Sequence, residues 1–204
     1  MRLVLAVTAA ALLATSGLAE AKKPPCSRTG SKTVVSTKSV RVYKVKNQDG
    51  GFNLIGCLRS DNKRQTLAHG YDDIETSGSF DRVKVAGRFV AWQFTAYDVS
   101  CKAACPPGYD PYSIHFTIRD LRKHKTVMVD GHVAPKGRLV LTTGGAIAWT
   151  QDTASDVEVN AYDAAKRHQL DHGDIAPDSL TLKGKIASWT NAGQPKSATL
   201  APRS

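Results

Sequence analysis

A phrase that recurs about every forty residues constrains this chain more than any other feature. Trp92, Trp149 and Trp189 each stand five residues after a glycine (Gly87, Gly144 and Gly184), and Tyr43 follows Lys38 at the same step. A short alternating run precedes each pair: Val34-Val-Ser36, Val83-Lys-Val85, Leu139-Val-Leu141 and Leu180-Thr-Leu182. Period-two alternation puts successive side chains on opposite faces of a strand, and an apolar run resuming after a turn residue signals a hairpin. A second phrase follows. Gln65-Thr-Leu-Ala-His-Gly70, Thr126-Val-Met-Val-Asp-Gly131 and His168-Gln-Leu-Asp-His-Gly173 align on their final glycines. Two of these continue alike, as Gly131-His-Val-Ala-Pro135 and Gly173-Asp-Ile-Ala-Pro177.

Gly131 and Gly173 lie 42 residues apart, and Trp149 and Trp189 lie 40 apart. Repeats of about 40–45 residues, each holding four short strands, are the pattern of propeller blades. The expectation is an all-β chain in which four blade-like antiparallel sheets form a small propeller-like arrangement. A β-sandwich is the alternative, since the same short strands could stack as two sheets. The units run over about 33–70, 81–131, 138–173 and 179–204, and the last has only three strands. No stretch carries sustained 3.6-residue apolar periodicity, so almost no helix is expected. The three tryptophans and Tyr43 are read as core between units, because a blade covers its faces only by stacking on its neighbours.

Residues 1–21 read as a secretory signal peptide: Arg2, the apolar run Leu3 to Ala14, then a small-residue stretch closing on Ala19-Glu-Ala21. Cleavage near Ala19 or Ala21 would release a secreted or extracytoplasmic protein. That apolar run is too short to span a bilayer, and no other stretch approaches the length a transmembrane helix needs. Residues 22–32, which include Lys22-Lys-Pro-Pro25, read as an extended arm ahead of a single domain over 33–204.

Four cysteines suit an oxidising compartment. Cys101 and Cys105 are close enough to close a small loop, which leaves Cys26 and Cys57 to each other. Four cysteines allow three pairings, and this one is preferred. Their spacing lacks the paired C-x-x-C of zinc sites, so no metal is assigned to them.

Phe116-Thr-Ile-Arg-Asp120 and Val159-Asn-Ala-Tyr-Asp163 are strands of the form apolar-x-apolar-x-Asp, each followed by a short turn and another strand. In this the chain resembles the bacterial extracytoplasmic β-propellers of the TolB-like and WD40-like group. The resemblance implies a propeller scaffold. It departs from that group in offering four units where six or more are usual, and in lacking the Gly-His and Trp-Asp marks of WD40 repeats. The functional range of such propellers transfers no activity.

The register also assigns ends. Turns after first and third strands emerge together and carry Arg122, Lys123, Lys125, Lys166 and Arg167, with Lys38, Arg88, Lys183 and Lys185. The opposite end collects Asp72, Asp130, His132 and Asp174, together with an inserted loop between Cys101 and Tyr112 that presents Tyr109, Asp110 and Tyr112. A disulfide-tied, Pro- and Tyr-rich loop is rigid contact area, so this second end is the first candidate for ligand or partner recognition. The formal net charge of +10 is assigned largely to the first end, where basic patches attract anionic surfaces. The reading is an exported binding module, with a protein or an anionic envelope component as partner. Peripheral membrane contact is possible and nucleic acid is not expected. No G-x-S-x-G elbow, H-E-x-x-H helix or phosphate-binding loop is present, so no catalytic residue and no cofactor is assigned. The alternative is a hydrolase or metal-dependent enzyme built on the carboxylates of the Asp/His end.

Overall fold

The computed structural model describes residues 26–48, 50–72, 76–98 and 112–203. These hold fifteen strands and no helix, which bears out the all-β expectation. Eight strands follow one another as a single antiparallel meander: β1 (Lys32–Ser36), β2 (Val40–Lys46), β3 (Phe52–Leu58), β4 (Lys63–Asp72), β5 (Thr76–Ala86), β6 (Phe89–Asp98), β7 (Tyr112–Asp120) and β8 (Lys125–Asp130). A four-stranded sheet comprises β9 (Leu139–Leu141), β10 (Ile147–Asp152), β11 (Val157–Asp163) and β12 (Lys166–Gly173). A three-stranded sheet comprises β13 (Thr181–Lys183), β14 (Ile186–Asn191) and β15 (Gln194–Thr199).

The sheets therefore number three, not the four expected. The first two meanders are joined where Tyr71 pairs with Gly78 and Asp72 with Ser77. β4 and β5 are long, at 10 and 11 residues, and run past their own partners until they meet. Gly78 permits this meeting, because a Cβ there would lie 2.6 Å from the Tyr71 ring.

Alternate residues of one strand feed opposite cores. On β10, Ile147 and Trp149 enter a cluster with Phe89, Phe116, Ile118 and Val129 of the preceding meander. Ala148, between them, enters the cluster of Trp189, Leu180 and Val159 on the other side. β10 is thus buried on both faces, which is why Ala146-Ile-Ala-Trp149 is a continuous apolar run. The tryptophans follow one rule. Trp92 packs with Val40, Val42 and Leu54 of the first meander, Trp149 with Phe116 of the second, and Trp189 with Val159 and Ala161 of the third. Tyr43, at the equivalent place in the first meander, packs with Ile55 and the Cys26–Cys57 disulfide. The first strands also stand in order, β1 beside β5, β5 beside β9 and β9 beside β13.

The disulfide pairing preferred from sequence is present for Cys26 and Cys57. It fixes residues 26–31 on the outer face of the first meander, helped by Arg41, whose Nη1 donates to the Cys26 carbonyl at 2.8 Å. Cys101 and Cys105 lie outside the described residues.

At the other end of the stack, β15 turns one edge outward. Its hairpin with β14 is a two-residue turn, Ala192 (φ 48°) and Gly193 (φ 74°), which pairs Asn191 with Gln194. Ladder bonds alternate from that pair, so Gln194, Lys196 and Ala198 bond inward and Pro195, Ser197 and Thr199 point their backbone outward. Beyond β15 the chain returns over its neighbours. Leu200 N donates to the Lys185 carbonyl (2.8 Å), Ala201 N to Asp163 Oδ2 (2.9 Å) and Arg203 N to the Gly144 carbonyl (2.9 Å).

Candidate functional site

Antiparallel order sends the turns β1–β2, β3–β4, β5–β6, β7–β8, β9–β10, β11–β12 and β13–β14 to one end. Five cations singled out from sequence, Arg122, Lys123, Lys125, Lys166 and Arg167, are all exposed on these turns or at their edges. The carboxylates of the β7–β8 and β11–β12 turns point the other way, whereas Asp61 of the β3–β4 turn is exposed. Asp120 closes β7, is buried, and accepts from Arg122 N (2.9 Å) and Lys123 N (3.1 Å) through Oδ1. Its Oδ2 accepts from Arg88 Nε at 2.8 Å. Asp163 closes β11 in the same way, with Ala165 N on Oδ1 (2.8 Å) and Ala201 N on Oδ2 (2.9 Å). The aspartate of the apolar-x-apolar-x-Asp strand is therefore a turn cap, its side chain satisfying backbone N–H groups two or three residues on. The sequence pattern marked this residue without its role, although an Asp immediately before a strand-joining turn is itself the signal.

The turns converge on a groove of about 640 Å³. Lys38 and Ser39 enter it from the β1–β2 turn, Arg59 and Ser60 from β3–β4, Gly87 and Arg88 from β5–β6, Arg122 from β7–β8 and Thr143 from β9–β10, with Leu58 also lining it. Cross-bonds hold these turns together: Ser39 Oγ donates to the Gly87 carbonyl (2.9 Å), Arg59 N to the Ser39 carbonyl (2.8 Å) and Leu121 N to the Arg88 carbonyl (3.1 Å). Gly87 adopts φ 58° at the tip of its hairpin, a conformation open to glycine without strain. Arg59 is half-buried, with Nε on the Thr37 carbonyl (3.1 Å) and Nη2 on Ser36 Oγ (2.8 Å). Arg59, Ser60 and Thr143 were not singled out from sequence, because nothing local says that five separate turns meet.

The opposite end is less concentrated. Asp130 is exposed at the end of β8 and pairs in register with His115, whose pKa burial lowers against the opposing pull of the Asp130 carboxylate. His132 is half-buried, and Asp174 is exposed in a shallow recess of about 380 Å³ beside Asp152 and Asp156. Tyr112 begins β7, exposed, with its ring 4.7 Å from that of Tyr97. Asp72 ends β4 opposite Ser77. Tyr109 and Asp110 lie outside the described residues. Asp130 and Asp174 thus stand in separate surroundings, and among the described residues no three His, Cys, Asp or Glu side chains are grouped to hold a metal.

One acidic group at this end has a structural task. Asp171 Oδ2 accepts from Trp189 Nε1 (2.7 Å) and Asn191 Nδ2 (3.0 Å), tying β12 to the final sheet, while Oδ1 accepts from His172 N (3.0 Å). Burial alone would raise its pKa; the Trp189, Asn191 and His172 donors outweigh burial and hold it below the usual carboxylate range. Asp120 behaves alike, burial being outweighed by Lys123 N–H, the Arg88 guanidinium and Arg122 N–H. A folded pKa below the unfolded one gives stability that is complete above about pH 4 and lost as pH falls through the folded value. The urea midpoint is expected to fall between about pH 5 and about pH 2, and to fall less steeply in Asp171→Asn. Equal slopes in the two proteins would remove Asp171 from that account.

No family model matches the chain, and no curated protein matches it. Among solved structures it is similar to hydrazine synthase of Kuenenia stuttgartiensis, at 10% identity and a TM-score of 0.44, over 80% of this chain and 56% of that one. It is also similar to an ulvan lyase of polysaccharide lyase family PL25, at 8% identity and a TM-score of 0.38, over 83% of this chain and 52% of that one. The chain thus spans about half the length of each. No helix among the described residues is long and apolar enough to cross a membrane.

Proposed function

We propose that this chain is an exported, non-catalytic binding module, a short propeller-like arc whose basic end docks on an anionic surface of the cell envelope. One observation carries the reading. The cations of the turns face solvent while the carboxylates beside them, Asp120 and Asp163, are buried as turn caps, so Asp61 is the one turn carboxylate at this end, among the described residues, that faces outward against them. Export is supported by the apolar run Leu3 to Ala14 with its Ala19-Glu-Ala21 close. The propeller-like arrangement is supported by the tryptophan of each meander packing on the meander before it, and by the ordered first strands. Tyr112, exposed at the start of β7 with its ring against that of Tyr97, supplies a second contact surface at the far end, suited to a protein partner.

Cations near an anionic leaflet contribute about 1 kcal/mol each, and the attraction is screened by salt. Co-sedimentation with phosphatidylglycerol vesicles is expected, weakening as salt rises, with no retention on phosphatidylcholine vesicles. Reversing Lys123, Lys125, Lys166 and Arg167 to Glu should weaken it more than about 100-fold, since four contacts of this size are lost. Unchanged retention of that variant would overturn the docking reading.

A further inference from the structure

We infer that the groove where the turns converge is a binding site for a phosphoryl group, carried by a small phosphate ester or a lipid headgroup. The inference rests on the docking reading above and gives the basic end a particular ligand group. Among the described residues the Lys38 and Arg122 side chains make no hydrogen bond or ion pair, and both line the groove. Arg88 reaches it as well, half-exposed and already oriented by Asp120 through Nε at 2.8 Å. Asp120 is buried beneath its turn and does not line the groove, and no other carboxylate lines it either. The lining charge is therefore wholly positive, and a dianion matches it where a neutral solute would gain nothing.

Chemistry favours a tetrahedral oxyanion over a carboxylate. The donors come from turns on several sides rather than from one edge, and a phosphoryl group accepts bonds from several directions. The hydroxyls of Ser60 and Thr143 stand among the cations as neutral donors. Leu58 is the one large apolar side chain of the lining, so the group recognised is the charged head and not an apolar body. Rigidity comes from the scaffold: Ser39 Oγ on the Gly87 carbonyl and Leu121 N on the Arg88 carbonyl fix the spacing of the turns before any ligand arrives.

Calorimetric titration tests this with inorganic phosphate and glycerol 3-phosphate, alongside sedimentation with phosphatidylglycerol vesicles. The variants are Lys38→Gln with Arg122→Gln, and a control pair of exposed cations at the opposite end, Lys46→Gln with Lys136→Gln. Both phosphate probes are expected to bind the native protein, about tenfold or more weaker in the groove variant and within about twofold of native in the control. Tighter binding of glycerol 3-phosphate than of vesicle headgroups would identify a soluble ester as the source, and the reverse a lipid. Absence of phosphate binding, or equal weakening in both variants, would overturn the groove proposal. Vesicle retention that survives such a result leaves the docking reading intact. Phosphate binding without vesicle retention would instead sink the docking reading and keep the groove.

Discussion

Replacing Trp149 by alanine is expected to lower stability by about 3–5 kcal/mol, the range for removing a large aromatic from a packed core. The indole is fully buried between two sheets, its ring centroid 4.9 Å from that of Phe116. Gly131 lies flat against it, since a Cβ there would come within 3.0 Å of the ring. Neither sheet can collapse into the space without dragging its hydrogen-bonded neighbours, so the cavity term adds to the lost transfer energy. The comparison that gives the number meaning is Trp189→Ala. That residue packs in the last sheet, whose second face carries exposed Ile186, and the surroundings have more freedom to relax. Its loss should cost less through packing, while also withdrawing one donor from Asp171 Oδ2. Urea titrations with unchanged slope would report both values. A cost below about 1 kcal/mol for Trp149→Ala would mean that the sheets are not stacked through this residue.

The second large effect belongs to the Cys26–Cys57 bond. The two residues are 31 apart in sequence, and a closed loop of that size restricts the unfolded chain by about 3–4 kcal/mol. Both cysteines are fully buried against Tyr43 and Ile55, so the folded side contributes packing as well. Replacing both by alanine should lower the urea midpoint by the corresponding amount. Added reductant should then lower the midpoint of the native protein by more than that of the double variant, in which only Cys101 and Cys105 remain. A reductant effect of equal size on both would place the loss elsewhere.

The repeat was legible because its carriers are local. A glycine five residues before a tryptophan records a hairpin tip and the core residue two or three places into the next strand, and both follow from one strand's geometry. Gly87 and Gly184 do adopt left-handed φ at such tips, whereas in the third meander that conformation falls to Gly145, one residue later than the repeat implied. Tyr43 and Cys57 were likewise legible, since cysteine arithmetic needs only the sequence and the compartment. Three things were not. The junction of β4 with β5 depends on how far two strands overrun their partners, and residue type does not set this. The inward turn of Asp120 and Asp163 depends on backbone N–H groups that carry no letter in the sequence. The groove depends on turns from residues 38 to 143 meeting in space, so its cations were seen as scattered charges rather than as one lining.

The outward edge of β15 has a consequence of a different kind. An exposed strand edge invites another chain to extend the sheet, and the usual deterrents are charge and brevity. Here the residue that should offer the first outward donor is Pro195, which has no N–H to give. Two residues on from Ser197, at Thr199, the outward row closes, because the next N–H on that side, that of Ala201, is already taken by Asp163 Oδ2. A visiting strand would find a template missing its first rung and only two residues long beyond it. The edge is thus a poor template for sheet extension, and its missing first donor is a matter of covalent structure that neither pH nor salt can alter.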